Sequence, residues 1–203
     1  MSARTTVAAA AMVATCVVSA GCTDAAPPPP PHQFVPITEP LCDDLGLRDV
    51  ARDAGWLRRP EPSLTDLGDA DHVRQFCGLE TSPGGRITTA TIGVDVSVEP
   101  GRPRRTVDIY RCDDDAPDCD PGTDVDGWWD DGLQRARVED TGAGPRRFFS
   151  LRTTVTYGNA SVDVRVVFLA DEAGELEPRA QAATTELLDR ARVVLETRLA
   201  PES

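Results

Sequence analysis

Two alternating apolar runs joined by a two-residue turn constrain this chain most. Phe148 to Tyr157 and Ser161 to Leu169 flank Gly158-Asn159. Glycine first in a two-residue loop suits a type II′ turn, whose twist matches that of the strands it joins. That turn fixes the register: Val155 faces Val162, Leu151 faces Val166 and Phe149 faces Phe168. All six lie on one side, as a half-buried sheet requires. The same register sets Arg152 opposite Arg165, a like-charge pair that needs a screen, with Asp163 the nearest candidate.

Other elements follow from periodicity. Leu41, Leu45, Val50, Ala51 and Ala54 keep helical spacing, with Gly46 splitting the helix and Gly55 capping it. Pro60 to Asp71 reads as a loop, rich in Pro, Asp and Gly. Ile92, Val94, Val96 and Val98 alternate with small or polar residues, which predicts a strand over 91–99 entered through Ile87 to Thr89. Val107, Ile109 and Arg111 suggest a short strand after a turn at 100–104, and 127–138 reads as a helix. The last helix starts near Pro178 and carries one apolar stripe: Ala180, Ala183, Leu187, Ala191, Val194 and Leu195. The sum is an α+β fold, an antiparallel sheet with an N-terminal and a C-terminal helix packed on one face, in a single domain over 41–200.

The N-terminal region reads as an export signal. Arg4 precedes an uncharged run from Val7 to Val18, too short for a comfortable membrane span, and Ser19-Ala20-Gly21 then precedes Cys22. Small residues before a cysteine resemble the bacterial lipobox, in which cleavage falls just before a lipid-bearing cysteine. The expectation is a lipoprotein signal peptide over 1–21, with Cys22 acylated and holding the chain to the membrane. An ordinary cleaved signal and an uncleaved anchor are the alternatives. Residues 22–40 read as a tether, with continuous proline from Pro27 to Pro31. Such a run extends about 3.1 Å per residue and reaches roughly 50 Å from the lipid. The domain is thereby expected on the outer, extracellular face of the cytoplasmic membrane.

Six cysteines then divide naturally. Cys16 leaves with the signal, Cys22 takes the lipid, and Cys42, Cys77, Cys112 and Cys119 remain in a compartment where disulfides persist. Of three pairings, Cys42–Cys77 and Cys112–Cys119 is favoured, because the second pair is seven residues apart. A zinc site is the rival, but there are no CxxC pairs and only His32 and His72.

The chain carries 21 basic residues, all Arg, against 34 acidic ones, for a net charge of -13. That balance argues against nucleic acid and against electrostatic adhesion to anionic lipid. No nucleophile elbow, zincin, P-loop or dinucleotide-binding motif occurs. Asp71-His72 is a poor start for a triad, since adjacent residues cannot readily orient one another as acid and base. The acidic run is more distinctive: Asp113, Asp114, Asp115, Asp118, Asp120, Asp124, Asp126, Asp130 and Asp131. Within it, Asp120, Asp124, Asp126 and Asp130, with Gly122 and Gly127, have calcium-loop character without EF-hand spacing; the competing reading is a solvated charge run. Trp128-Trp129 follows directly, and one indole is expected to be exposed for a glycan, lipid or protein partner while the other packs.

Pro40-Leu41-Cys42 at a first helix, Phe76-Cys77-Gly78-Leu79 opening the sheet, Tyr157-Gly158-Asn159 in a late hairpin and a terminal helix form a familiar series. Over about 36–200 the chain is similar to small actinobacterial lipoproteins of unknown function with a PsbP-like domain, the LpqN-type and related families. The resemblance implies a PsbP-like fold, a Cys42–Cys77 pair, and an envelope accessory or binding role without catalytic residues or cofactor. The reading is a non-enzymatic envelope lipoprotein binding a protein, lipid or wall component. Its alternatives are a calcium-stabilised structural or adhesive module and a hydrolase whose site no motif marks.

Overall fold

The hairpin is built as its sequence dictates. In the computed structural model, β6 (Arg147–Tyr157) and β7 (Ala160–Ala170) pair antiparallel with Val155↔Val162, Leu151↔Val166, Phe149↔Phe168 and Arg152↔Arg165. Gly158 lies at φ 60°, and a Cβ there would overlap the His32 carbonyl, so the turn requires glycine on two counts. The structure describes residues 32–56, 64–68, 74–81, 87–99, 121–140, 147–170 and 176–201. The expected Cys112–Cys119 pair, the strand at 107–111 and Asp71-His72 lie outside these.

Around the hairpin an antiparallel sheet of seven strands runs β1-β2-β3-β7-β6-β5-β4. Its remaining strands are β1 (Leu64–Gly68), β2 (Arg74–Thr81), β3 (Ile87–Val98), β4 (Thr123–Asp124) and β5 (Asp131–Asp140). The long chain connection between β3 and β4 carries the path from the centre of the sheet to its far edge. Two expectations are corrected. The stretch 60–71 is not all loop, because β1 pairs with β2 there. The stretch 127–138 is not a helix: residues 127–130 form a bend, and β5 then pairs with β6 from Asp131↔Thr156 to Asp140↔Arg147. Hydrogen bonding to an existing strand overrides the helical preference of this segment.

Alternation gives the sheet two unlike faces. One carries Cys77 and Leu79 of β2, Ile92, Val94, Val96 and Val98 of β3, Phe149, Leu151 and Val155 of β6, and Val162 to Phe168 on β7, all buried. Among the described residues, three helices bury their apolar stripes with it in one core: α1 (Cys42–Leu45), α2 (Leu47–Asp53) and α3 (Glu177–Arg198). Gly46 at φ 60° turns the chain between α1 and α2, as the spacing predicts. Proline in the first turn starts α3, whose whole expected stripe is buried together with Thr184 and Leu188. Trp56 fills the centre, edge-on to Phe168 with ring centroids 4.9 Å apart. The Cys42–Cys77 disulfide ties α1 to β2 across this face, with Cα atoms 5.4 Å apart.

The opposite face is polar and banded, and among the described residues no helix packs on it. Each row across the strands has its own chemistry. Asp95 and Asp163 are cross-strand partners, as are Ser97 and Ser161, whose hydroxyls are 2.8 Å apart. The next row reads Gly78, Gly93, Arg165, Arg152, Arg135 across β2, β3, β7, β6 and β5. The Phe76 ring occupies the space a side chain would need at Gly78 and at Gly93.

The compact unit spans Pro31–Ser203. The distal part of the expected tether is therefore packed and not extended. Phe34 and Ile37 are buried in the core, and the Val35 amide donates to the Leu199 carbonyl at 2.8 Å. Phe34 supplies apolar area that composition dominated by proline conceals.

Candidate functional site

Trp128 and Trp129 sit at the turn end of the β6–β7 hairpin. The bend over 127–130 is fixed from both sides. The Asp130 amide donates to the Thr156 carbonyl at 2.8 Å, and the Asp130 carboxylate accepts from the Gly158 amide at 2.6 Å. Trp129 folds back over Gly127 and Gly132, where any Cβ would overlap its ring, and its Nε1 donates to the Val125 carbonyl at 2.8 Å. Trp128 packs edge-on against Trp129 at 5.4 Å and against Tyr157 at 5.1 Å. The expected division of labour between the indoles does not occur: both are half-buried and both lean on the core. Trp128 Nε1 is buried with no hydrogen-bond partner among the described residues.

Charged groups ring this aromatic cluster. The Arg192 guanidinium lies 5.8 Å from the centre of the Trp128 ring and donates to Glu196 at 2.8 Å. The Tyr157 hydroxyl is 2.9 Å from His32 Nε2 and 3.4 Å from Glu196 Oε1. Burial, and then the Glu196 carboxylate, push the Tyr157 phenol above its ordinary pKa. The His32 ring lies against Tyr157, tilted by 37°, with ring centroids 4.1 Å apart. The first described residues of the chain thus belong to this cluster.

Asn159 holds the two together. It is fully buried, and its amide accepts from the Phe34 amide at 2.7 Å and donates to the carbonyls of Phe34 and Glu99 at 3.0 and 3.1 Å. Its backbone amide donates to the His32 carbonyl at 3.1 Å. The sequence marks Asn159 as a turn residue; that it also pins the N-terminal segment depends on contacts 125 residues away.

The acidic run is described only from 121 onward. Asp130 caps the hairpin turn as described, Asp124 is in β4, Asp126 is exposed, and Asp120 lies outside the described residues. Among the described residues no three His, Cys, Asp or Glu converge as metal ligands would. Cys22 also lies outside the described residues. No described helix is long and apolar enough to cross a membrane.

Among the described residues, cavities open at two further places. One, of about 600 Å³, lies between α2 and α3, with Asp53, Arg179 and Glu186 around Val50, Ala54 and Ala183. The other, of about 300 Å³, lies on the polar sheet face and is lined by Arg135, Arg137, Arg152, Arg165, Glu139 and Phe148. Arg152 donates to Asp163 at 2.7 Å, the screen that the hairpin register calls for. Arg135 joins the row only because 131–140 is a strand, so reading that segment as helix conceals the row. No family model, curated protein or solved structure matches the chain.

Proposed function

We propose that this chain is an exported envelope lipoprotein, held to the outer face of the cytoplasmic membrane through Cys22, and that its domain is a non-enzymatic module binding an envelope partner through the Trp128–Trp129 end. The observation that carries the reading is the shared position of His32, Tyr157 and Trp128. His32, the first described residue, lies against Tyr157, and Trp128 leans on the same ring. Half-buried indoles held by a bend and two glycines are rigid, and rigid aromatic groups lose little entropy on contact. The disulfide between Cys42 and Cys77 suits an oxidising compartment.

The test has two arms. Cys22→Ser should shift the protein from the membrane fraction to the soluble one; continued membrane association sinks the anchoring. Crosslinking of the lipidated protein in its own membranes should give a partner adduct that Trp128→Ala and Trp129→Ala weaken at least tenfold. An adduct unchanged by both substitutions sinks the assignment of the aromatic end.

A further inference from the structure

We propose that the cavity between α2 and α3 binds a small aliphatic molecule with an ammonium at one end and a carboxylate at the other. Its lining has two parts. Val50 and Ala183 are buried, Ala54 is half-buried and Ala182 is exposed, so this part is aliphatic and offers no hydrogen-bonding side chain. The other part is charged and exposed: Asp53 of α2, with Arg179 and Glu186 of α3. Glu186 is answered by Arg190, one turn further along α3, at 2.8 Å. Asp53 and Arg179 are not so answered. They line one cavity and are opposite in charge, yet they form no ion pair with each other. Among the described residues neither side chain has any other ion-pair partner.

Helix electrostatics explain neither charge. Asp53 is the last residue of α2, and Arg179 lies in the first turn of α3. A helix favours cations at its C-terminus and anions at its N-terminus, so each charge sits at the end its own helix disfavours. A bound zwitterion reverses both conflicts. Its ammonium meets the Asp53 carboxylate and the negative end of α2, and its carboxylate meets the Arg179 guanidinium and the positive end of α3. A simple carboxylate leaves Asp53 unanswered, and a simple amine leaves Arg179 unanswered. The apolar part of the lining selects an aliphatic body over a sugar, whose hydroxyls would lose water without gaining partners there. The volume, about 600 Å³, is ample for a small molecule. Gly55 also lines the cavity, and a Cβ there would meet nothing within 4 Å, so the chain leaving α2 does not close it over.

The probe is 6-aminohexanoate, titrated calorimetrically into the whole protein at constant ionic strength. Hexanoate and hexylamine are the arms that each carry one of its two charges. The zwitterion should bind with a constant of about 1 mM or tighter, and each single-charge arm at least about tenfold more weakly. Asp53→Asn and Arg179→Gln should each weaken binding about tenfold. Arg48→Gln, exposed on α2 and outside the lining, should leave it unchanged. Without probe, both cavity variants should keep or raise the urea midpoint, since each removes a charge its helix disfavours; this separates lost binding from lost folding. Four outcomes overturn the proposal. One is neither heat nor a higher urea midpoint at about 10 mM probe, an order of magnitude above the expected constant. Another is hexanoate or hexylamine binding as tightly as the zwitterion, which means one charge suffices. A third is an equal loss in Arg48→Gln, which means general charge screening. The last is a lowered urea midpoint in both cavity variants, which makes the two charges structural.

Discussion

The two faces of the sheet are made from the same strands and the same alternation, yet they obey different physics. On the helix face, β3, β6 and β7 present Val, Ile, Leu and Phe, and the partners are other apolar side chains from α1, α2 and α3. Its free energy comes from area removed from water, which is not directional and is not weakened by charge screening. On the polar face, aspartate and arginine rows alternate, and what stabilises one pair strains the next. Arg74 is bound by Asp95, and Arg152 by Asp163, so the acidic row answers the basic one diagonally. The helix face is therefore held by apolar contact, while the polar face is held by directional charge pairs.

The largest contrast comes from one aromatic on each face. Phe168 is fully buried between Trp56 and Phe149, and Phe168→Ala should cost about 3–5 kcal/mol from lost transfer energy and a residual cavity. Phe76 is half-buried and lies over Gly78 and Gly93, so Phe76→Ala should cost only about 1–2 kcal/mol. Urea unfolding measures both. Equal costs would break the division of labour between the faces.

Covalent support belongs to the helix face alone among the described residues. The Cys42–Cys77 bond closes a loop of sequence separation 35, and chain entropy puts its contribution at about 4 kcal/mol. The Cys42→Ala, Cys77→Ala double variant should lose that amount in urea, and reductant should lower wild-type stability to match. Asn159→Ala comes next. It strips partners from the Phe34 amide and from the Phe34 and Glu99 carbonyls, for a cost of about 2–3 kcal/mol. Amide exchange should speed up over 32–40 before the rest of the core. Uniform acceleration would mean that Asn159 does not act by pinning that segment.

Tyr157 separates the faces by pH. Its phenol is raised above 10, so the folded state favours the neutral form. The sign follows: this contribution is complete below the unfolded value near 10 and is lost as pH rises through the higher folded value. Tyr157→Phe should flatten the alkaline loss of stability, measured between pH 9 and 11, a window of about one unit on either side of the unfolded value.

Legibility in the sequence tracks this same division. The hairpin register, the Gly46 break and the α3 stripe could be read because each follows from local period or turn chemistry, and the pairing of Cys42 with Cys77 because Cys112 and Cys119 are only seven residues apart. β1 and β5 could not, because their strand character comes from pairing with a neighbour and not from their own alternation. The burial of Phe34 and the reach of Asn159 to it were hidden for a related reason: both depend on the N-terminal segment folding back over the hairpin turn. The row was half legible. Arg152 opposite Arg165 follows from the turn, but Arg135 enters only once β5 is a strand.

The smallest effect has the opposite sign. Arg165→Thr removes one of two like-charge contacts made by Arg152, keeps a β-branched residue that suits a strand, and touches nothing in the core. It should stabilise the fold by about 0.5 kcal/mol at low salt, since directly opposed like charges cost about that much. The gain should shrink as salt rises to 1 M, where the screening length falls to about 3 Å and the arginines no longer feel one another. Phe168→Ala should keep its full cost across the same range, because apolar burial has no charge to screen. Urea unfolding of both variants at low and high salt decides the matter. A destabilising Arg165→Thr would mean that this guanidinium supports the sheet, and the row would then be structural like the face behind it.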